Sequence, residues 1–260
     1  MNQNYNRLYM PQFITGCGSI EFFATLGKKR IGVVRGGRSL NDQLKAKIEK
    51  LAEESGAELR YIAQIRNEPY IEDIFRCMDE VREFEPDMIL AIGGGSVLDT
   101  AKAIHLFYEN PEMSFEEATI PYALPALGKK AIHVAVPTTS GTGSETTSCA
   151  VFIDPETKTK KLLLDNTIIP HYAILDADMT DSLPTSITVA TGLDALTHSI
   201  EASTAMNASA MTRAIAMEAA VDILENLEAA AKEGEMTNAH RIRPCRSGNY
   251  ELLYRISALL

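Results

Sequence analysis

Between residues 29 and about 180, short apolar runs alternate with amphipathic ones, and this alternation constrains the fold more than any other feature of the chain. "KRIGVV" (29–34), "ELRYIAQI" (58–65) and "DMILAIGGG" (87–95) read as strands, and "AIHVAVP" (131–137) and "YAILDAD" (172–178) as further buried strands. Among them, "SLNDQLKAKIEKLAEESG" (39–56) reads as a helix opened by Ser39 or Asn41 and closed by Gly56. "PYIEDIFRCMDEVREF" (69–84) reads as a second helix with Pro69 at its start, and "SVLDTAKAIHLFY" (96–108) as a third. Strands alternating with helices imply a parallel, helix-covered sheet.

After Leu183-Pro184 the character changes. Thr185 to Lys232 reads as helix throughout, and Ala214, Met217, Val221 and Leu224 form one apolar stripe. The expected organisation is therefore an α/β domain over 1–184, a partial helical domain over 185–235 and an atypical tail over 236–260. That tail, "MTNAHRIRPCRSGNYELLYRISALL", holds four arginines and one acid in an otherwise acidic chain, and Pro244 and Gly248 interrupt any helix there.

A formal net charge of -10 on 260 residues argues against nucleic acid or an anionic membrane as partner. It does not argue against small anions, which backbone amides bind even in an acidic protein. Cys17, Cys77, Cys149 and Cys245 are scattered without a C-x-x-C, which fits reduced thiols in a cytoplasmic protein. The opening "MNQNYNRLYMPQF" lacks a signal-peptide pattern, and no apolar run approaches the roughly 20 residues that span a bilayer.

Three stretches could carry chemistry. "GGGS" (93–96) sits where a buried strand turns into a helix; glycines there let a ligand approach the backbone, and the first helical amides suit a pyrophosphate. It is not a G-x-G-x-x-G. Asp99 and Lys102 follow on the same helix, and either could face a cleft. "PTTSGTGSE" (137–145) places the hydroxyls of Thr138, Thr139, Thr142 and Ser144 after another strand, at the edge where open parallel sheets bind ligands. "GLDALTHSIEA" (192–202) stacks Asp194 and His198 one helical turn apart, enough for half of a metal shell or for an ordinary solvated pair.

Together "GGGSVLDTAK" (93–102), "PTTSGTGSE" (137–145), "ILDADM" (174–179) and "TGLDALTHSIEA" (191–202) resemble the iron-containing (group III) alcohol dehydrogenase family, over residues 8 to about 232. The resemblance implies a Rossmann-like α/β domain followed by an all-α domain, the architecture shared with dehydroquinate synthase, with the active site between them. It implies NAD or NADP as coenzyme, a divalent metal (commonly Fe2+, sometimes Zn2+), a primary alcohol or diol and its carbonyl as substrates, and a homodimer as the common assembly. Carried over by position, Gly94, Gly95 and Ser96 would hold the pyrophosphate; Asp99, Thr138, Thr139, Thr142, Thr147 and Lys160 would line the dinucleotide site; Asp194 and His198 would be metal ligands and the catalytic centre. A glycerol dehydrogenase or dehydroquinate synthase relative would share the fold, but the wording of 191–202 favours the alcohol branch. Many NAD-preferring members carry an acid after the first strand, where this chain has "VVRGGRSL" (33–40), with Arg35 and Arg38; this favours NADP(H).

The family completes its metal shell with two later histidines. Here the histidines are His105, His133, His171, His198 and His240; the first three suit structural roles, and His240 comes too early in the wrong context. The expectation is a C-terminally truncated or frameshifted form with a weak metal site and an apolar face left partly exposed. The competing expectation is a catalytically inactive nucleotide-binding remnant.

Overall fold

The computed structural model describes residues 9–37, 40–65, 69–180 and 183–234. The 236–260 tail, with His240, and Arg38 lie outside the described residues. The elements are β1 (Gln12–Thr15), α1 (Phe22–Thr25), β2 (Arg30–Gly36), α2 (Asp42–Glu54), β3 (Glu58–Ile65), α3 (Ile71–Arg76), α4 (Met78–Phe84), β4 (Met88–Gly93), α5 (Gly95–Glu109), α6 (Phe115–Ala118), β5 (Ile132–Pro137), β6 (Cys149–Ile153), β7 (Lys160–Leu164), β8 (Tyr172–Leu175), α7 (Thr185–Thr204) and α8 (Ala210–Gly234).

Six strands form one parallel sheet in the order β1-β8-β5-β4-β2-β3, and β6 and β7 form a separate antiparallel hairpin. Alternation along the strands divides the core. Ile31, Val33, Met88, Leu90 and Ile92 face α2, whereas Val34, Ile89 and Ala91 face α3, α4 and α5. The order reverses between β2 and β4, and that switch point opens at their carboxyl ends.

The sheet agrees with the sequence expectation, and β3 coincides with 58–65. Asn41 caps α2, its side chain accepting the Leu44 amide at 2.8 Å, while Ser39 lies outside the described residues. Four features differ. The helix expected over 69–84 is two helices, because the Cys77 thiol bonds Ile74 O at 3.1 Å, the carbonyl that a continuing ladder would offer to Met78. The helix expected over 185–232 breaks at 205–209, where Ala205 turns extended and Ser209 Oγ caps the next helix by accepting the Thr212 amide. The edge strand β1 and the β6–β7 hairpin had no counterpart in the expected elements. Cys77 and Cys149 are free thiols, whereas Cys17 is disulfide-bonded, a departure from the reduced set expected.

The helices α7 and α8 pack as a hairpin through small residues: Ala195 and Gly192 meet Ala219, Ile223 and Leu227. The stripe at Met217, Val221 and Leu224 consequently faces outward. Among the described residues, no helix is long and apolar enough to cross a membrane.

Gly141 sets how closely the 137–145 loop approaches α7, since a Cβ there would lie 2.3 Å from Thr191 O. Gly141→Ala should therefore cost about 2–3 kcal/mol, read as a lower urea midpoint; a change below ~0.5 kcal/mol would mean that this contact is not close-packed.

Candidate active site

At the end of β4 the chain turns into α5 within three glycines. Gly94 is the N-cap without a side-chain cap, so the amides of Gly95 and Ser96 lack intrahelical partners and sit at the positive end of the helix dipole. Side chains at the turn would press on the neighbouring loop, lightly at Gly94 and tightly at Gly95. A Cβ on Gly94 would lie 3.4 Å from Thr139, and one on Gly95 would lie 3.0 Å from Thr142 Cγ2 and 3.2 Å from Ser144 Oγ. Thr139 Oγ1 is buried without a hydrogen-bond partner. A glycine turn and unpartnered helical amides form a donor set that fits a phosphate.

A cleft of about 680 Å³ opens above this turn, bounded by α5, the 137–149 segment, the β6–β7 hairpin and α7. Gly95, Ser96, Asp99, Thr142, Thr147, Lys160, Asp194 and His198 all line it. Gly94, Thr138 and Thr139 do not: Thr139 packs behind Gly94, and Thr138, buried, donates its amide to Gly93 O at 3.0 Å. Cys149 and Glu201 also line the cleft and were missed from the sequence. Glu201 had a legible signal, since it lies seven residues after Asp194 and three after His198, on the same helical face.

Asp194 Oδ1 and His198 Nε2 stand 3.8 Å apart, both partly exposed. A cation with bonds of about 2.1 Å bridges that separation, so the pair fits as two ligands of a shell. Among the described residues no group of three His, Cys, Asp or Glu is placed to hold an ion. The histidines of the α/β part, His105, His133 and His171, gather at the opposite edge, near the amino ends of the strands. His105 Nε2 bonds Ala131 O at 2.9 Å, and His171 Nδ1 accepts the His133 amide at 3.1 Å.

Beneath the cleft floor lies a buried charged cluster. Lys102, one of the two residues expected as cleft candidates, is instead fully buried; its Nζ donates to Thr147 O (2.8 Å), Thr147 Oγ1 (2.9 Å) and Cys149 O (2.7 Å) and lies 3.8 Å from Asp99 Oδ1. Asp99 accepts the Val151 amide at 3.0 Å through its other oxygen. Desolvation by burial pushes the Asp99 carboxyl up and the Lys102 ammonium down, each opposed by the other's charge. Glu145, also buried, is pushed up to about 7 by desolvation, against its own backbone hydrogen bond and the Lys102 charge.

Because folded Glu145 keeps its proton where the unfolded chain has lost it, its contribution to stability is complete below pH about 4.5 and is lost as pH rises through about 7. Glu145→Gln should remove that decline, so that the variant gains on the order of 2 kcal/mol relative to the parent between pH 4.5 and 7.5, followed by chemical denaturation at each pH. Parallel stability curves for parent and variant would contradict the placement of this carboxyl in a desolvated site.

Two family models match the chain: "Iron-containing alcohol dehydrogenase" over residues 11–177 and "Fe-containing alcohol dehydrogenase family, C-terminal" over 188–242. The chain is 39% identical over 223 residues to the "NADPH-dependent butanol dehydrogenase" of Clostridium saccharobutylicum, covering 85% of this chain and 58% of that protein. It is 42% identical over 171 residues to the "Probable alcohol dehydrogenase EutG" of Salmonella typhimurium, covering 64% of this chain and 42% of that one. A solved iron-containing alcohol dehydrogenase from Thermococcus thioreducens superposes with a TM-score of 0.81 at 30% identity, covering 98% of this chain and 68% of its own. The chain thus spans less than two thirds of the length of the curated relatives it matches.

Proposed function

This chain belongs to the iron-containing alcohol dehydrogenase family, and from that premise we propose that its cleft binds an NAD(P) dinucleotide and a divalent cation to interconvert a primary alcohol or diol with its carbonyl by hydride transfer. One observation carries the proposal: the glycine turn, the hydroxyl-rich loop, Lys160 and the Asp194–His198 pair meet in a single cleft. Gly95 and Ser96 offer amides to the pyrophosphate. Thr142, Thr147 and Lys160 orient the remainder of the coenzyme. Asp194 and His198 hold the cation, for which Fe2+ is the family's commoner ion and Zn2+ the alternative. A divalent cation bound there acts as a Lewis acid that favours the alkoxide form of the substrate, from which hydride departs readily. The α/β part, 1–184, serves the dinucleotide, and the helices after it bring the ligands of the cation.

NADP(H) is the favoured coenzyme. Arg35 is the penultimate residue of β2 at the switch point, followed by Gly36 and Gly37 rather than an acid. Its guanidinium donates to Gln64 Oε1 at 3.3 Å and lies 5.4 Å from the Tyr61 ring centroid, which pre-orders a cation near the expected ribose. The NADPH in the name of the Clostridium relative supports the same choice.

A second class of function, nucleotide binding without turnover, is favoured by one observation: among the described residues Asp194 and His198 gain no third ligand. Calorimetry with NADPH, metal analysis and aldehyde-dependent NADPH oxidation separate the two. The dehydrogenase predicts NADPH binding, retained iron and turnover, with Asp194→Asn and His198→Gln each lowering iron content at least tenfold while nucleotide affinity stays within about threefold. Binding without metal or turnover would leave the nucleotide-binding class, and absence of NADPH binding would contradict both.

Arg35→Ala should reduce the preference for NADPH over NADH at least tenfold, measured as the ratio of Kd values. An unchanged ratio would remove Arg35 from coenzyme selection.

A further inference from the structure

The α5 helix presents amides to the cleft at its head, and two turns on it carries a fully buried ammonium that does not itself line the cleft but holds residues that do. Nothing in the proposed chemistry uses that ammonium, yet its three hydrogen bonds all go to the segment that enters β6, at Thr147 and Cys149. One turn earlier on the same face, Asp99 takes the Val151 amide. The two side chains therefore engage residues 147, 149 and 151, the alternate positions whose backbone groups point to one side of a strand. The other edge of β6 is paired with β7, in a register that sets Ile153 opposite Lys160.

A fixed path runs from Lys102 through β6 to β7 and ends at Lys160, which lines the same cleft as Gly95 and Ser96. An apolar side chain at 102 could fill the same volume but would leave the Thr147 and Cys149 carbonyls without their donor, whereas three acceptors converging on one ammonium fix where that segment sits on α5. We propose that Lys102 is a positioning residue for the coenzyme: it locks the β6–β7 hairpin in register on α5 and so places Lys160 and Thr147 against the dinucleotide held by the head of the same helix. The inference rests on the coenzyme site proposed above.

The test is a double-mutant cycle on the whole chain, with NADPH affinity read by calorimetry and hairpin order by amide hydrogen exchange over 146–164. Lys160→Met should weaken NADPH binding at least tenfold without loosening the hairpin. Lys102→Met should weaken binding comparably and raise exchange in the hairpin while α2 and α8 keep theirs. The double variant should bind within about twofold of Lys102→Met alone, because a misplaced Lys160 has little left to lose. Additive losses, or unchanged hairpin exchange in Lys102→Met, would overturn the positioning role. An unaffected affinity in Lys160→Met would instead overturn the coenzyme site. If Lys102→Met does not fold by circular dichroism, Lys102→Gln, which keeps a shorter donor, takes its place in the cycle. Failure of both to fold would make Lys102 a folding element and overturn the proposal.

Discussion

Helix α5 has one place to begin. A Cβ on Gly93 would lie 2.5 Å from Val97, so β4 must end in a residue without a side chain before the helix can fold back against the sheet. Once started there, every residue from Val97 to Tyr108 is buried, which a helix achieves only between two covering layers. The sheet is one layer and the β6–β7 hairpin with its loops the other. The head of this enclosed helix points its unpaired amides out of the carboxyl edge of the sheet, at the switch point, where the cleft must then lie.

Charged groups inside the fold act mostly as clamps on backbone. Asp176 accepts the amides of Gly18, Ile20 and Asp178, which secures the turn after β1. Glu109 accepts those of Gly128, Lys129, Lys130 and Ala131, and these bonds with His105 hold its carboxyl far below the usual range despite desolvation. Lys102 does the corresponding work with the opposite sign. Burying such groups costs several kcal/mol each unless every hydrogen bond is made, so they mark segments whose placement matters. Two of these clamps hold the connections of the sheet; the third holds the wall of the cleft.

The central strands were legible because Ile31, Val33, Met88, Leu90 and Ile92 and their neighbours are apolar on both faces, as strands covered on both sides must be. Gln12–Thr15 was not, since an edge strand of four residues, two exposed and two half-buried, has no distinctive pattern. The hairpin was hidden for a related reason: only Ala150, Phe152 and Leu163 of its ten residues are fully buried. At the cleft, the glycines and the Asp194–His198 spacing could be read because short-range geometry dictates them. The role of Lys102 could not, because a lysine three residues after an aspartate on a helix is ordinarily solvated, and only the long-range return of residues 147–151 buries it.

The central claim is that the glycine head of α5 is the seat of the dinucleotide. Gly95 has no left-handed backbone, so Gly95→Val sets a branched side chain over those amides at the first helical position at the cost of displacing the Thr142 and Ser144 side chains. Calorimetric titration of NADPH should show saturable binding to the parent and at least a tenfold loss in the folded variant. Equal affinity in both would contradict the account, because the coenzyme would then be held somewhere other than the head of α5.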